Sequence, residues 1–388
     1  MPRGSRHSQT KPCPRCGTTL IDPRAAQCQR CRNSVTVAAQ PAAVLTPEQA
    51  LALDREHSRS AVELRRLRER YKAAQAIIER YEQELGVVEA LKAGYDCRRI
   101  EPLVGSGHNE ATAFAIASDW HAASTVGPEV GGLNVFNLDV FHARADTFFR
   151  KVVELTDLMA AKIQIPRIVL ALLGDFITNH IHEEFQETNS LSPTFELITA
   201  QNAIAGGIQY ILDHSDRQLI LPCHSGNHAR TTKTTRFGAE NGHSLEYLMY
   251  LSLALQFRHE PRVQFLIPEA PHSYLDVYGT TIRFQHGHMV KYGGGVGGLT
   301  IPLNKAIAQW NKGRHADLDV LGHFHQMFDG GNFIVNGSLI GYDSFALSIK
   351  ASFELPKQAM FLMDRKRGRT FTWPVLLASR SVEAGGAA

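Results

Sequence analysis

At 388 residues, with 44% hydrophobic and 20% charged side chains, the chain exceeds a typical single domain and is too rich in core-forming residues for disorder throughout. Its longest apolar runs, such as residues 168–173, are far too short to span a bilayer, which argues against a membrane anchor. The net charge of +3 is unevenly spread: residues 1–100 carry 18 Lys and Arg against 11 Asp and Glu, and the other 288 residues carry 23 against 27.

The N-terminus, MPRGSRHSQT, is basic and has no apolar leader stretch, so a reducing, cytoplasmic setting is expected. Within residues 10–34 stand Cys13-Pro-Arg-Cys16 and Cys28-Gln-Arg-Cys31. Two CxxC knuckles at this spacing bring four thiolates into a closed tetrahedral site, and one structural Zn²⁺ supplies folding energy that so short a piece cannot obtain from a core. This reads as a zinc ribbon. A linker of small residues follows at 35–45.

Thr46-Pro-Glu-Gln49 offers an N-cap, a proline at the first helical position and a reciprocal Gln, so a long helix is expected over 46–93. Leu64, Leu67, Tyr71, Ala74, Ile78, Tyr81, Leu85 and Val88 alternate by three and four, which suits either a coiled coil, to a second copy or another protein, or a helix packed on its own catalytic domain. The charges from Glu63 to Lys72 read as a solvated face.

From about residue 110 to 380 the pattern becomes short β-rich runs alternating with helical ones: 113–117, 168–173, 218–222, 281–285, 318–321 and 333–335. An α/β or α+β layered domain follows. Arg365-Lys-Arg-Gly-Arg369 lies between two strand-like runs and reads as a hairpin turn, and 381–388 as a loose tail.

Nearly every strand ends in metal-ligand residues: Asp119-Trp-His121, Gly174-Asp175, Gly226-Asn227-His228, His286-Gly-His288 and Gly322-His323-Phe-His325. Five such endings place oxygen and nitrogen donors along one sheet edge, where two divalent cations could share a carboxylate while imidazoles complete each shell. From spacing alone, either His286 or His288 could serve.

These motifs, in this order across roughly residues 113–345, resemble the calcineurin-like metallophosphoesterase superfamily. The resemblance implies a four-layer αββα sandwich. It also implies that Asp119, His121 and His325 hold one metal, that Asn227, His286 and His323 hold the other, and that Asp175 bridges them. His228 would meet the substrate phosphate and protonate or stabilise the leaving oxygen. Mn²⁺ heads the metals that suit such donors, with Fe²⁺ and Zn²⁺ beside it, and two of them ~3.5–4 Å apart lower the pKa of a water between them to give hydroxide at neutral pH. The Asn336-Gly-Ser338 turn resembles a family element that closes the sandwich.

After Gly-Asn-His many relatives carry an acid, whereas here Ala229 and Arg230 follow. The run from Arg230 through Lys233 to Arg236 holds three cations and four threonines without an acid, a composition that can contact successive phosphates. His180, close behind Asp175, is a further candidate for phosphate contact. The expected activity is therefore a phosphodiesterase acting on nucleic acid, DNA foremost, resembling the repair-exonuclease branch and, in overall look, phage-type phosphoesterases. The alternative is a phosphomonoesterase acting on phosphoprotein or a small phosphate ester.

Overall fold

The computed structural model describes residues 46–93, 99–103, 109–181, 183–291, 298–348 and 350–378. The zinc ribbon expected at 10–34 with its four cysteines, the linker at 35–45 and the tail at 381–388 lie outside the described residues. The chain divides into two units, Met1–Gln83 and Glu84–Ala388.

Helix α1 spans Pro47–Ala93. Its start follows the capping logic of the sequence: the Thr46 backbone N–H donates to Gln49 Oε1 at 3.0 Å, and the Gln49 N–H donates to Thr46 Oγ1 at 3.3 Å. Leu64, Leu67 and Tyr71 are exposed on it.

The second unit is built on two six-stranded sheets. One contains β2 (Glu110–Ala117), β3 (Gln164–Leu172), β4 (Gln218–Pro222), β5 (Val263–Leu266), β11 (Lys357–Asp364) and β12 (Gly368–Leu376), in the order β12-β11-β2-β3-β4-β5. The other contains β1 (Arg99–Ile100), β6 (Ser273–Val277), β7 (Thr280–Phe284), β8 (Leu318–Leu321), β9 (Phe328–Asp329) and β10 (Phe333–Val335), in the order β1-β6-β7-β8-β10-β9. The runs β2 to β5 pair in parallel, as do β7, β8 and β10, so the carboxyl ends of the motif-bearing strands in each sheet lie on one edge. Residues 365–367 form the turn of the β11-β12 hairpin, as the sequence suggested.

The layering follows from strand parity. Successive side chains point to opposite faces, and both faces of the central strands are buried, so these strands read as unbroken apolar runs. Ala111, Ala113, Ala115 and Ala117 of β2 join Ile168, Leu170 and Leu172 of β3 in a core shared with α2 (Leu138–Ala160), α4 (Pro193–His214) and α5 (Leu245–Gln256). The intervening residues Phe114, Ile116, Val169, Ala171 and Leu173 face the second sheet, meeting Val277, Ile282, Phe284 and Val320. On the far side of that second sheet, Leu303 and Ile307 of α6 (Thr300–Trp310) pack on Leu321, Phe333 and Val335. The result is the four-layer αββα sandwich expected. Two short helices complete the unit, α3 (Glu183–Thr188) and α7 (Ser344–Ser348). No helix among the described residues is long and apolar enough to cross a membrane.

Candidate metal centre

The loops that leave β2, β3, β4, β7 and β8 carry the five motifs, and main-chain hydrogen bonds zip them together. The N–H groups of Trp120 and His121 both donate to the Asp175 carbonyl, at 2.8 and 3.1 Å, and that of Gly322 donates to the His286 carbonyl at 2.8 Å. A main-chain N–H also reaches across from one sheet to the other: both oxygens of Asp119 accept the His323 N–H at 3.0 Å. Trp120 anchors the first loop by pointing away from its neighbours into a cage of Phe141, Phe148, Phe149 and Phe176, with ring centroids 5.0–6.2 Å away.

The backbone at these loops is strained. Asp119, His121, Asp175, His323 and His325 all have φ between 51° and 74°, the left-handed region that costs a non-glycine residue roughly 1–2 kcal/mol. Five such residues persist because the surrounding bonds over-determine them. Two glycines permit the close approach of the β3 and β4 loops: Gly174 has φ 84°, and a Cβ on Gly226 would fall on the Asp175 carboxylate.

Side-chain donors converge in three groups, each with its ligand atoms within 4.8 Å of one another: Asp119, His121 and His325; His121, Asp175 and His228; and Asp175, His286 and His323. Asp175 belongs to two of them. Asn227 joins the last group through Oδ1, 3.3 Å from His286 Nε2. Of the pair left open by spacing, His286 is the one in the cluster, whereas His288 Nε2 lies 3.3 Å from Glu240 Oε1.

The donor chemistry fits cations. His286 Nδ1 sits 2.6 Å from the Leu173 carbonyl, which can only accept, so that nitrogen carries the proton. Its Nε2 then turns a lone pair toward Asp175 Oδ2 at 3.0 Å and Asn227 Oδ1 at 3.3 Å. The first group shows the same crowding, with His121 Nε2 and His325 Nε2 3.2 Å apart and Asp119 Oδ1 3.6 Å from the latter. Such donors are held together either by a proton shared between neighbours or by a cation among them, and mixed nitrogen and oxygen donors suit divalent transition metals.

Titration tells the same story. Burial opposes charge on Asp175, but His286 and His228 beside it hold its carboxyl well below the usual range. Burial likewise works against protonated His286, yet Asp175 raises it to about 10, so without metal a proton there supplies the missing charge. Burial pushes His121 and His323 well below their ordinary value, which keeps both rings neutral and ready to ligate.

A pH dependence follows. His286 folds with a raised pKa, so its stabilisation is complete below the unfolded value of 6.5 and lost as pH rises through about 10. Glu246, raised by burial from 4.5 to about 8, shifts stability in the same direction over its upper range. Melting temperature in chelator should therefore fall between pH 6.5 and 9, and added Mn²⁺ should raise it more at pH 9 than at pH 6. A flat profile in chelator would contradict the proton's role.

Three residues that the sequence reading passed over hold these loops in place. Glu246, fully buried, accepts the N–H of Phe176 at 2.6 Å and of Gly226 at 2.7 Å, clamping the loops after β3 and β4. Glu196 accepts from Asn179 at 2.9 Å, from Ala123 at 3.3 Å and from Thr178, tying the Asp175 loop to the His121 loop. Gln358 Oε1 accepts from the Ser118 N–H at 3.0 Å and Trp120 Nε1 at 3.2 Å. Asn336, in the turn singled out above, donates to Ser118 Oγ at 2.8 Å and accepts the Ala359 N–H at 2.6 Å, joining the sheets.

The expected substrate contacts divide. His228 stands at the centre, its N–H on Asp175 Oδ1 at 2.8 Å and its Nδ1 on the Thr178 carbonyl at 2.9 Å, which leaves Nε2 for the site. Arg230 is half-buried, donates to the Asn227 carbonyl at 2.6 Å and keeps a buried Nε without a partner. Lys233, Arg236 and His180 are exposed and lie in none of the three donor groups.

No protein-family model matches the chain, and no curated protein matches it. Similar solved structures include a hypothetical protein from Pyrococcus horikoshii OT3, 11% identical over 70% of this chain and 91% of that one, with a TM-score of 0.33. The calcineurin-like phosphoesterase YfkN from Bacillus subtilis is 11% identical over 70% and 92%, at 0.28. Vps29 from Chaetomium thermophilum is 9% identical over 68% and 96%, at 0.22.

Proposed function

We propose that the chain is a dinuclear-metal-dependent phosphoesterase that hydrolyses phosphodiester bonds of nucleic acid, DNA foremost. The observation that carries this reading is the sharing of Asp175 between two donor groups, which matches one carboxylate serving two cations. Asp119, His121 and His325 would hold the first ion, Asn227, His286 and His323 the second, with Asp175 between them and Mn²⁺ the first metal to try. Bound divalent ions supply Lewis acidity, neutralising charge on the phosphoryl oxygens and making water a competent nucleophile near neutral pH.

The chain's own groups do the rest. The Thr178 carbonyl takes the Nδ1–H of His228, and Asp175 holds the same residue's main chain, so Nε2 faces the leaving oxygen and would protonate it from the doubly protonated ring, a charge that burial opposes and the Asp175 carboxylate favours. Arg230, kept partly desolvated beside Asp175, offers an unpaired Nε to a non-bridging phosphate oxygen. Lys233 and Arg236 lie on the exposed loop that follows and suit neighbouring phosphates. The cysteines at 13, 16, 28 and 31 are proposed to bind one structural Zn²⁺ and to recruit the polymer.

The phosphomonoesterase reading draws support from a compact recess beside His286, lined by Glu240, Pro268, Ala270 and Pro271, with no Lys or Arg among the described residues that line it to hold a flanking phosphate. Purified full chain with Mn²⁺, given labelled DNA, RNA and p-nitrophenyl phosphate, decides between the two. Cleavage of DNA is expected; hydrolysis of the monoester with both polymers intact would replace the first reading by the second.

A further inference from the structure

A second recess opens beside the first donor group. Its walls include Phe324, His325, Tyr342, Phe345, Ser352 and Glu354. Phe345, on α7, is 60% exposed although its neighbour Ala346 is buried, and Phe353, 44% exposed, sets its ring 5.7 Å from that of Tyr342. Exposed aromatic faces at the edge of a recess are poor for solubility and good for stacking.

The wall at 351–355 is fixed to the His325 loop. Gln326 Nε2 donates to the Ser352 carbonyl at 2.8 Å, and Glu354 accepts the Met327 N–H at 3.0 Å while lying 3.4 Å from Lys357 Nζ. Among the described residues no Lys or Arg lines the recess. It is therefore unsuited to a phosphate. Its aromatic faces and Oε1 of Glu354, the oxygen that neither Met327 nor Lys357 engages, suit a flat, uncharged ring that carries amino or imino hydrogens.

We propose that this recess is a base-binding subsite, in which one nucleobase of the strand stacks on Phe345 while the phosphate it adjoins lies at the Asp119, His121 and His325 group. His325 belongs to both the recess and the donor group, so a base in the recess lies close enough to belong to the ester held beside it. A base in that position must be free of its partner strand, which makes single-stranded nucleic acid, or a frayed end, the substrate class. The inference rests on the nucleic-acid reading above.

The test compares a short labelled thymidine oligonucleotide with an abasic one of the same length, using the full chain. Binding is followed by anisotropy in chelator, and cleavage kinetics in Mn²⁺. Stacking one base supplies about a 5- to 150-fold preference, so the wild type should favour the thymidine strand by that factor in affinity and KM, with little change in kcat. Phe345→Ala should erase most of the preference and Phe345→Trp should restore it. Equal handling of the two strands, or a preference that survives Phe345→Ala, overturns the subsite and leaves the nuclease reading standing; failure to bind or cleave either strand overturns both.

Discussion

Asp175→Asn is expected to lower turnover by at least about 10³-fold while leaving the fold intact. The amide fills the same space and can still accept the His228 N–H, but it removes the negative charge that two donor groups share. Metal content should fall below two ions per chain, and the melting temperature in chelator should decline less above pH 6.5, because His286 loses the carboxylate that chiefly raises it while Glu246 still titrates. Elemental analysis and a thermal melt on the same preparation separate this outcome from misfolding. Full activity with two ions retained would mean that Asp175 is not the shared ligand.

Glu246→Ala should have the largest effect on stability. It strips the acceptors from two buried N–H groups, those of Phe176 and Gly226, at a cost of about 2–5 kcal/mol. Because those N–H groups belong to the loops that deliver Asp175 and Asn227, metal affinity should fall with stability. Glu246→Gln keeps one acceptor and should fall between the wild type and the alanine variant in both melting temperature and metal content. If the alanine variant melted like the wild type and kept its metals, Glu246 would be a bystander.

The strands that carry the motifs were legible because buried parallel strands leave a plain mark, a run such as Ile168 to Leu173 with apolar residues on both faces. The donor residues that converge were legible because each motif puts, at a strand end, donors that few other roles require. The supporting shell was not. Glu196 and Glu246 lie in the first turns of α4 and α5, where an acid ordinarily answers the helix dipole, so nothing local distinguishes them from surface carboxylates. Only the packing of α4 and α5 against β3 and β4 reveals that both are buried under the loops. The choice between His286 and His288 was likewise beyond spacing alone and depends on which ring reaches Asp175. The aromatic recess combines residues from 324 to 355 that no period connects, and it exists because the loop after His325 folds back on α7.

The account turns on two cations within one cluster. Crystals of the full chain grown with Mn²⁺ and measured at the manganese edge should show two anomalous peaks, one among Asp119, His121 and His325 and the other among Asn227, His286 and His323, each within bonding distance of Asp175. A single peak, or peaks elsewhere in the chain, would contradict it.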